Sequence, residues 1–116
     1  MPASDPFPGS RPDLEQLRDR LRVFATERDW ERYHIPKNLA MALAVEAAEL
    51  MEPLQWLTSE EAGAVRIDPE TRAALEDEIA DVAIYLIRLA DVLGVDLADA
   101  VVKKIGRNEG RFPVGG

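Results

Sequence analysis

A chain of 116 residues with a formal net charge of −8 has the size of one domain and the wrong sign for gripping a nucleic-acid backbone, which calls for Lys and Arg. It holds no cysteine, which excludes a disulfide framework and a thiolate metal site, and no stretch approaches the roughly 18 uninterrupted apolar residues of a membrane span. Hydrophobic residues make up 47% of the chain but aromatics only 6%, so the core is aliphatic and alanine-rich, which suits closely packed helices.

Residues 1–12, MPASDPFPGSRP, read as a flexible arm. They lack the apolar run of a secretory leader, and a cytoplasmic location is expected. Asp13 is placed to cap a first helix in which Leu14, Leu17, Leu21 and Phe24 recur at spacings of three and four, an amphipathic pattern fading near Arg28–Trp30. Pro36 keeps the following ERYHIPK turned or extended. Asn38 is expected to cap a second helix running to about Trp56, with Pro53 kinking or ending it. Residues 58–69 read as a polar loop.

Asp68 followed by Pro69 is a strong start for a third helix, which Gly94 stops after Leu93. Asp96 caps a fourth, LADAVVKKIGRN, weakened by Gly106 and Gly110 before the tail RFPVGG. Repeats and strand-like alternation are absent. The expected architecture is all-α, a four-helix bundle-like subunit over 13–113 that completes its core by oligomerising.

The second helix poses a problem of charge. Between Asn38 and Met51 the only charged residues are Glu46 and Glu49. At about 100° per residue, Leu39, Leu43, Leu50 and Leu54 share one stripe, and Glu46 lies about 20° from its origin. A bare carboxylate on an apolar edge is costly, so it must protonate, pair with a cation or face a polar cavity. Glu49, three residues on, points nearly the same way.

The third helix repeats the arrangement. Leu75, Ile79, Val82, Leu86, Leu89 and Leu93 read as a bundle seam, with Glu78, Asp81 and Tyr85 on a second stripe roughly 80° away. If the two helices pack antiparallel, four carboxylates converge. Oxygen donors without Cys or His favour a hard cation, Mg²⁺ or Mn²⁺. A di-iron bundle needs Glu-x-x-His on its helices, whereas the only histidine, His34, precedes the second helix. Either acidic pair alone is ordinary on a solvated face; two on successive apolar helices point to a metal.

Trp30, Tyr33 and His34 cluster before the carboxylate helix and Trp56 ends it. An isolated Trp is usually core or interface, but flat aromatic faces beside a metal site also suit stacking on a nucleobase. Lys103, Lys104, Arg107 and Arg111 concentrate near the C-terminus, either as partners of a helix dipole or as phosphate contacts. A P-loop motif is absent.

From about Leu14 to Pro113 the chain resembles the all-α nucleoside triphosphate pyrophosphohydrolases, the MazG-like superfamily, and within it the dCTP pyrophosphatase branch. The resemblance is carried by ERDWERYHIPKNLAMALAVEAAELMEPLQW, EDEIADVAIYLIRLADVLGVDL and KKIGRNEGRFP. It implies Mg²⁺ held by Glu46, Glu49, Glu78 and Asp81, which are also the catalytic residues. It implies contacts to base and sugar from Trp30, His34, Trp56 and Tyr85, with Asn38 among the substrate-binding residues, and to phosphate from Lys104, Asn108 and Arg111. It further implies a homo-oligomer, a dimer of dimers, and hydrolysis of a (deoxy)nucleoside triphosphate, dCTP or a modified dCTP first, to monophosphate and pyrophosphate. No nucleic-acid polymer and no membrane is expected as a partner. The tail departs from the family pattern at Gly106, Glu109, Gly110 and Phe112, which touches the phosphate contacts and leaves the carboxylates intact. dUTP or another non-standard nucleotide as substrate, and a non-enzymatic cation-binding module, are the rival readings.

Overall fold

A computed structural model describes residues 11–64 and 68–115 of the chain. Most of the expected N-terminal arm, residues 1–10, lies outside the described residues. The elements are α1 (Leu14–Glu27), a 3-10 turn (Glu31–Tyr33), α2 (Pro36–Met51), α3 (Ser59–Ala64), α4 (Pro69–Val92) and α5 (Leu97–Arg111), with no strand among the described residues.

Three of the four expected caps form. Asp13 accepts from the Gln16 amide at 2.8 Å while the Gln16 side chain accepts from the Asp13 amide, a reciprocal capping box. Asp68 accepts from the amide of Glu70 at 3.2 Å, and Asp96 from the amide of Asp99 at 3.0 Å. The fourth expectation needs correction. Helix α2 starts two residues before Asn38, with Pro36 in its first turn and Ile35 extended before it, because proline needs no amide partner there and pushes its predecessor out of the helical region. Asn38 instead donates from Nδ2 to the Tyr33 carbonyl at 3.1 Å.

Helix α2 also ends at Met51, not near Trp56. Pro53 has no N–H for the Glu49 carbonyl, which accepts from the Glu52 amide at 3.2 Å instead. Within the expected 58–69 loop, Thr58 and Glu61 cap each other's amides and start the short α3. Helix α5 continues through both glycines to Arg111.

Helices α1 and α4 end alike. The Trp30 amide reaches the Ala25 carbonyl at 2.9 Å and the Asp29 amide reaches Thr26 at 3.1 Å; Val95 reaches Ala90 at 2.8 Å and Gly94 reaches Asp91 at 3.0 Å. Both are Schellman closures, which place one residue at positive φ: Asp29 at 54° and Gly94 at 70°. The first closure directs the chain into Trp30 and the turn carrying His34.

Helix α2 packs antiparallel along α4, and α1 lies against α4. His34, just before α2, meets Arg88 near the end of α4, while Glu46, further along α2, meets Glu78, nearer the start of α4. Leu39 is 2% exposed and, with Ala25, Ile87 and Ala90, forms the apolar centre. The expected α4 seam is only partly covered: Ile79, Leu86 and Leu93 remain exposed. Instead α4 gives its covered side to Leu75, Glu78, Asp81, Val82, Tyr85 and Arg88, because a single chain supplies helices to one side of it only. Helix α5 buries no residue and exposes Val101, Val102 and Ile105.

A polar bridge ties α1 to α4. Arg22 donates from Nε and Nη2 to the two Asp91 oxygens at 2.7 and 2.5 Å, and Arg88 donates from Nη1 to Asp91 Oδ2 at 3.1 Å. Asp91→Ala leaves the Arg88 charge buried without its carboxylate, and a loss of about 3 kcal/mol is expected in urea unfolding at neutral pH. The bidentate bond from Arg22, with the charges of Arg22 and Arg88, holds the Asp91 carboxyl below its ordinary range against the opposing effect of burial. As pH falls from about 4, the unfolded chain takes up this proton before the folded one. The contribution is therefore full above the ordinary carboxylate range and lost as pH falls through the depressed pKa. Asp91→Asn is expected to flatten the acid limb of the stability profile in that window; an unchanged limb excludes this role.

Candidate functional site

The antiparallel register brings EAAE of α2 beside EIAD of α4. Carboxylate oxygens of Glu46, Glu49 and Glu78 lie within 4.8 Å of one another, and all three residues are half-buried. Glu46 Oε2 and Glu78 Oε2 are buried without a hydrogen-bond partner among the described residues, an arrangement a protein rarely tolerates unless something else satisfies the oxygens. Burial, then contact with the Glu78 carboxyl, pushes the Glu46 carboxyl up; contact with Glu46, then its charge, pushes Glu49 up. Asp81, half-buried on α4, lies outside the three-way group, but its charge is among those acting on both acids of α2. Crowded oxygens with two orphaned atoms and no nitrogen or sulfur donor fit a hard divalent cation.

A second polar cluster lies at the other end of the α2–α4 contact. Arg88, 7% exposed, donates from Nε to Nδ1 of His34 at 3.0 Å. Trp30 stands edge-on to His34 at 6.4 Å and to Phe24 at 5.5 Å between centroids. Tyr85 sits half-buried on α4 between Asp81 and Arg88, so it links the two clusters along one helix face.

The remaining expected site residues are not gathered in the single chain. Trp56 is 87% exposed beyond the end of α2. Lys104, Asn108 and Arg111 lie on α5, which touches α4 only slightly; the Arg111 guanidinium sits over its neighbour Phe112 at 5.1 Å. Arg88, Asp91 and Arg22 were not among the residues singled out from sequence. The signal for Arg88 existed: it is the single charge in the apolar run from Val82 to Ala90, the same anomaly that marks Glu46 and Glu49. The Thr58–Glu61 box was likewise legible as T-x-x-E.

A sequence model of the MazG-like family matches residues 41–116. The chain is similar to dCTP pyrophosphatase 1 of Bos taurus, with 46% identity over 113 residues, 97% of this chain and 67% of that protein. It is similar to dCTP pyrophosphatase 1 of Homo sapiens, with 47% identity over 102 residues, 88% of this chain and 60% of that protein. The chain therefore spans about two thirds of the length of these mammalian relatives, or slightly less. Among solved structures it is similar to a pyrophosphatase from Archaeoglobus fulgidus, with a TM-score of 0.80 and 41% identity over 90% of this chain and 95% of that one. The matched stretch covers both acidic helices, and this chain belongs to the MazG-like family.

Proposed function

We propose that the protein is a Mg²⁺-dependent nucleoside triphosphate pyrophosphohydrolase acting on dCTP or a modified dCTP, in a domain spanning 13–113. The observation that carries this reading is the convergence of Glu46, Glu49 and Glu78 with two buried oxygens unpartnered. The names of the mammalian relatives support the substrate. In the reaction, water adds to the α-phosphorus, the bond from that phosphorus to the bridging oxygen breaks, and monophosphate and pyrophosphate leave. Glu46, Glu49 and Glu78, with Asp81 beside them, would hold the cation, which would supply charge neutralisation and a more acidic water. Glu46 or Glu49 takes the proton of the attacking water. Trp30, His34 and Tyr85 frame base and sugar, and Asn38 is among the substrate-binding residues.

Trp56, Lys104, Asn108 and Arg111 complete the site in a homo-oligomer, a dimer of dimers, in the cytoplasm. Support for assembly comes from the uncovered apolar side chains of α4 and α5, among them Ile79, Leu86, Val101, Val102 and Ile105, which a second copy would remove from water.

With Mg²⁺ and the four dNTPs plus dUTP, product analysis is expected to give monophosphate and pyrophosphate, fastest from dCTP, and nothing once EDTA is added. Diphosphate and orthophosphate would relocate the attack; a preference for dUTP would reassign the base. Glu49→Gln and Asp81→Asn are each expected to abolish turnover with helical circular dichroism unchanged, and near-normal activity in both removes the assignment. Glu46→Gln takes one charge out of the crowded group, so the metal-free variant is expected to melt above the metal-free wild type and to lose the rise in Tm that Mg²⁺ gives. Sedimentation is expected to give a multiple of the 12.9 kDa chain mass; a monomer at assay concentration leaves the α5 residues without a site.

A further inference from the structure

The hydrogen bond between Arg88 and His34 has a chemical direction. Arginine only donates, so Nδ1 of His34, 3.0 Å from Arg88 Nε, must be the acceptor and carries no proton. A neutral imidazole then holds its proton on Nε2. An imidazolium would need a proton on Nδ1, facing the Arg88 N–H, which this geometry opposes.

Arg88 has little freedom to turn away. It is buried on α4, and its Nη1 is engaged by Asp91 at 3.1 Å. Asp91 is gripped in turn by both donors of Arg22 from α1. The imidazole thus ends a chain of bonds crossing three elements. The charged groups around it are Arg88 and Asp91 from α4, Arg22 from α1 behind them, and Glu31 of its own turn. Burial, then the Arg88 charge, lowers the His34 pKa, against a smaller opposing pull from Glu31. Among the described residues no hydrogen bond engages Nε2, while the ring edge meets half-exposed Trp30.

We propose that Arg88 is a positioning residue that fixes His34 as its Nε2–H tautomer, so that His34 presents a donor, and never an acceptor, to a hydrogen-bond acceptor of the bound nucleotide. The proposal rests on the nucleotide reading of the site given above. The acceptor is a ring nitrogen or carbonyl of the base, or a phosphate oxygen; a base that offers N–H at that point is refused, because two donors then face each other with neither satisfied.

The protein's single histidine makes the test direct. Long-range ¹H–¹⁵N correlation spectra of the intact wild-type chain at pH 7 are expected to show one imidazole, with Nδ1 unprotonated and Nε2 protonated. An Nδ1–H tautomer or an imidazolium overturns the proposal, and this arm needs neither a variant nor turnover. Arg88→Met keeps the Arg22–Asp91 pair and is expected to give a mixed tautomer and a His34 pKa returned toward its ordinary range. Arg88→Lys, which keeps a donor, is expected to restore the Nε2–H form in part. An unchanged tautomer in Arg88→Met overturns the proposal.

In kinetics on dCTP, Arg88→Met is expected to raise KM about tenfold, the scale of one lost hydrogen bond, with kcat changed far less; a fall in kcat alone at unchanged KM overturns the role in recognition. Titration with deoxycytidine and, separately, with inorganic pyrophosphate identifies the source of the acceptor by which one moves the Nε2–H resonance. Movement by neither overturns the recognition role whether or not dCTP is hydrolysed. Absence of turnover with the Nε2–H shift present removes the proposed reaction and leaves the positioning intact.

Discussion

The antiparallel contact of α2 with α4 is the constraint on which the rest depends. Ordinary helix pairs bury leucine against leucine. This one has Leu39 near one end, with Arg88 against His34 just before it, but sets Glu46 and Glu49 against Glu78 toward the other end. Charges taken from water in this way stabilise only if partnered. The cationic end finds its partners within the chain, through Asp91 and Arg22. The acidic end finds none among the described residues, and its two orphaned oxygens leave a deficit of positive charge. One register sets both ends, so a slip of α2 along α4 would separate the acids and break the arginine–histidine bond together.

Helix α1 matters through that same contact. Its capping box and its Schellman end fix both its length and the path into Trp30. Its strong polar hold on the neighbouring helix runs from Arg22 to Asp91. Removing that hold would free Arg88 as well as loosen α1, so the stability of the helix packing and the orientation of His34 are coupled. Helix α5 is different. It is amphipathic and well capped, yet buries nothing in the single chain, and residues such as Ile105 and Val102 face water.

Much of this was legible before any coordinates. Asp13, Asp68 and Asp96 stand immediately before apolar periodic runs, and each caps its helix, because an N-cap works through bonds no more than three residues away. Pro36 and Pro53 override the assignments given to Asn38 and Trp56 through equally local chemistry. Glu46, Glu49 and Glu78 were recognisable because charge in an apolar stripe demands a partner. Arg88 obeys the same rule in the run VAIYLIRLA, and the rule would have found it had it been applied to cations as well as acids.

Helix identity, polarity and the sparse charges are properties of neighbouring residues, so a linear string contains them. Which face of α4 turns inward is not such a property. The spacing of Leu75, Ile79, Val82, Leu86, Leu89 and Leu93 reads as the buried seam, yet Ile79, Leu86 and Leu93 stay exposed, while the stripe of Glu78, Tyr85 and Arg88 is covered. Two stripes on one helix, one apolar and one polar, compete for the same neighbour. Only the three-dimensional placement of α1 and α2 decides between them, since the free energy of burial depends on what lies opposite and not on periodicity alone. That choice brought the acids together and joined His34 to Arg88 across 54 residues of sequence.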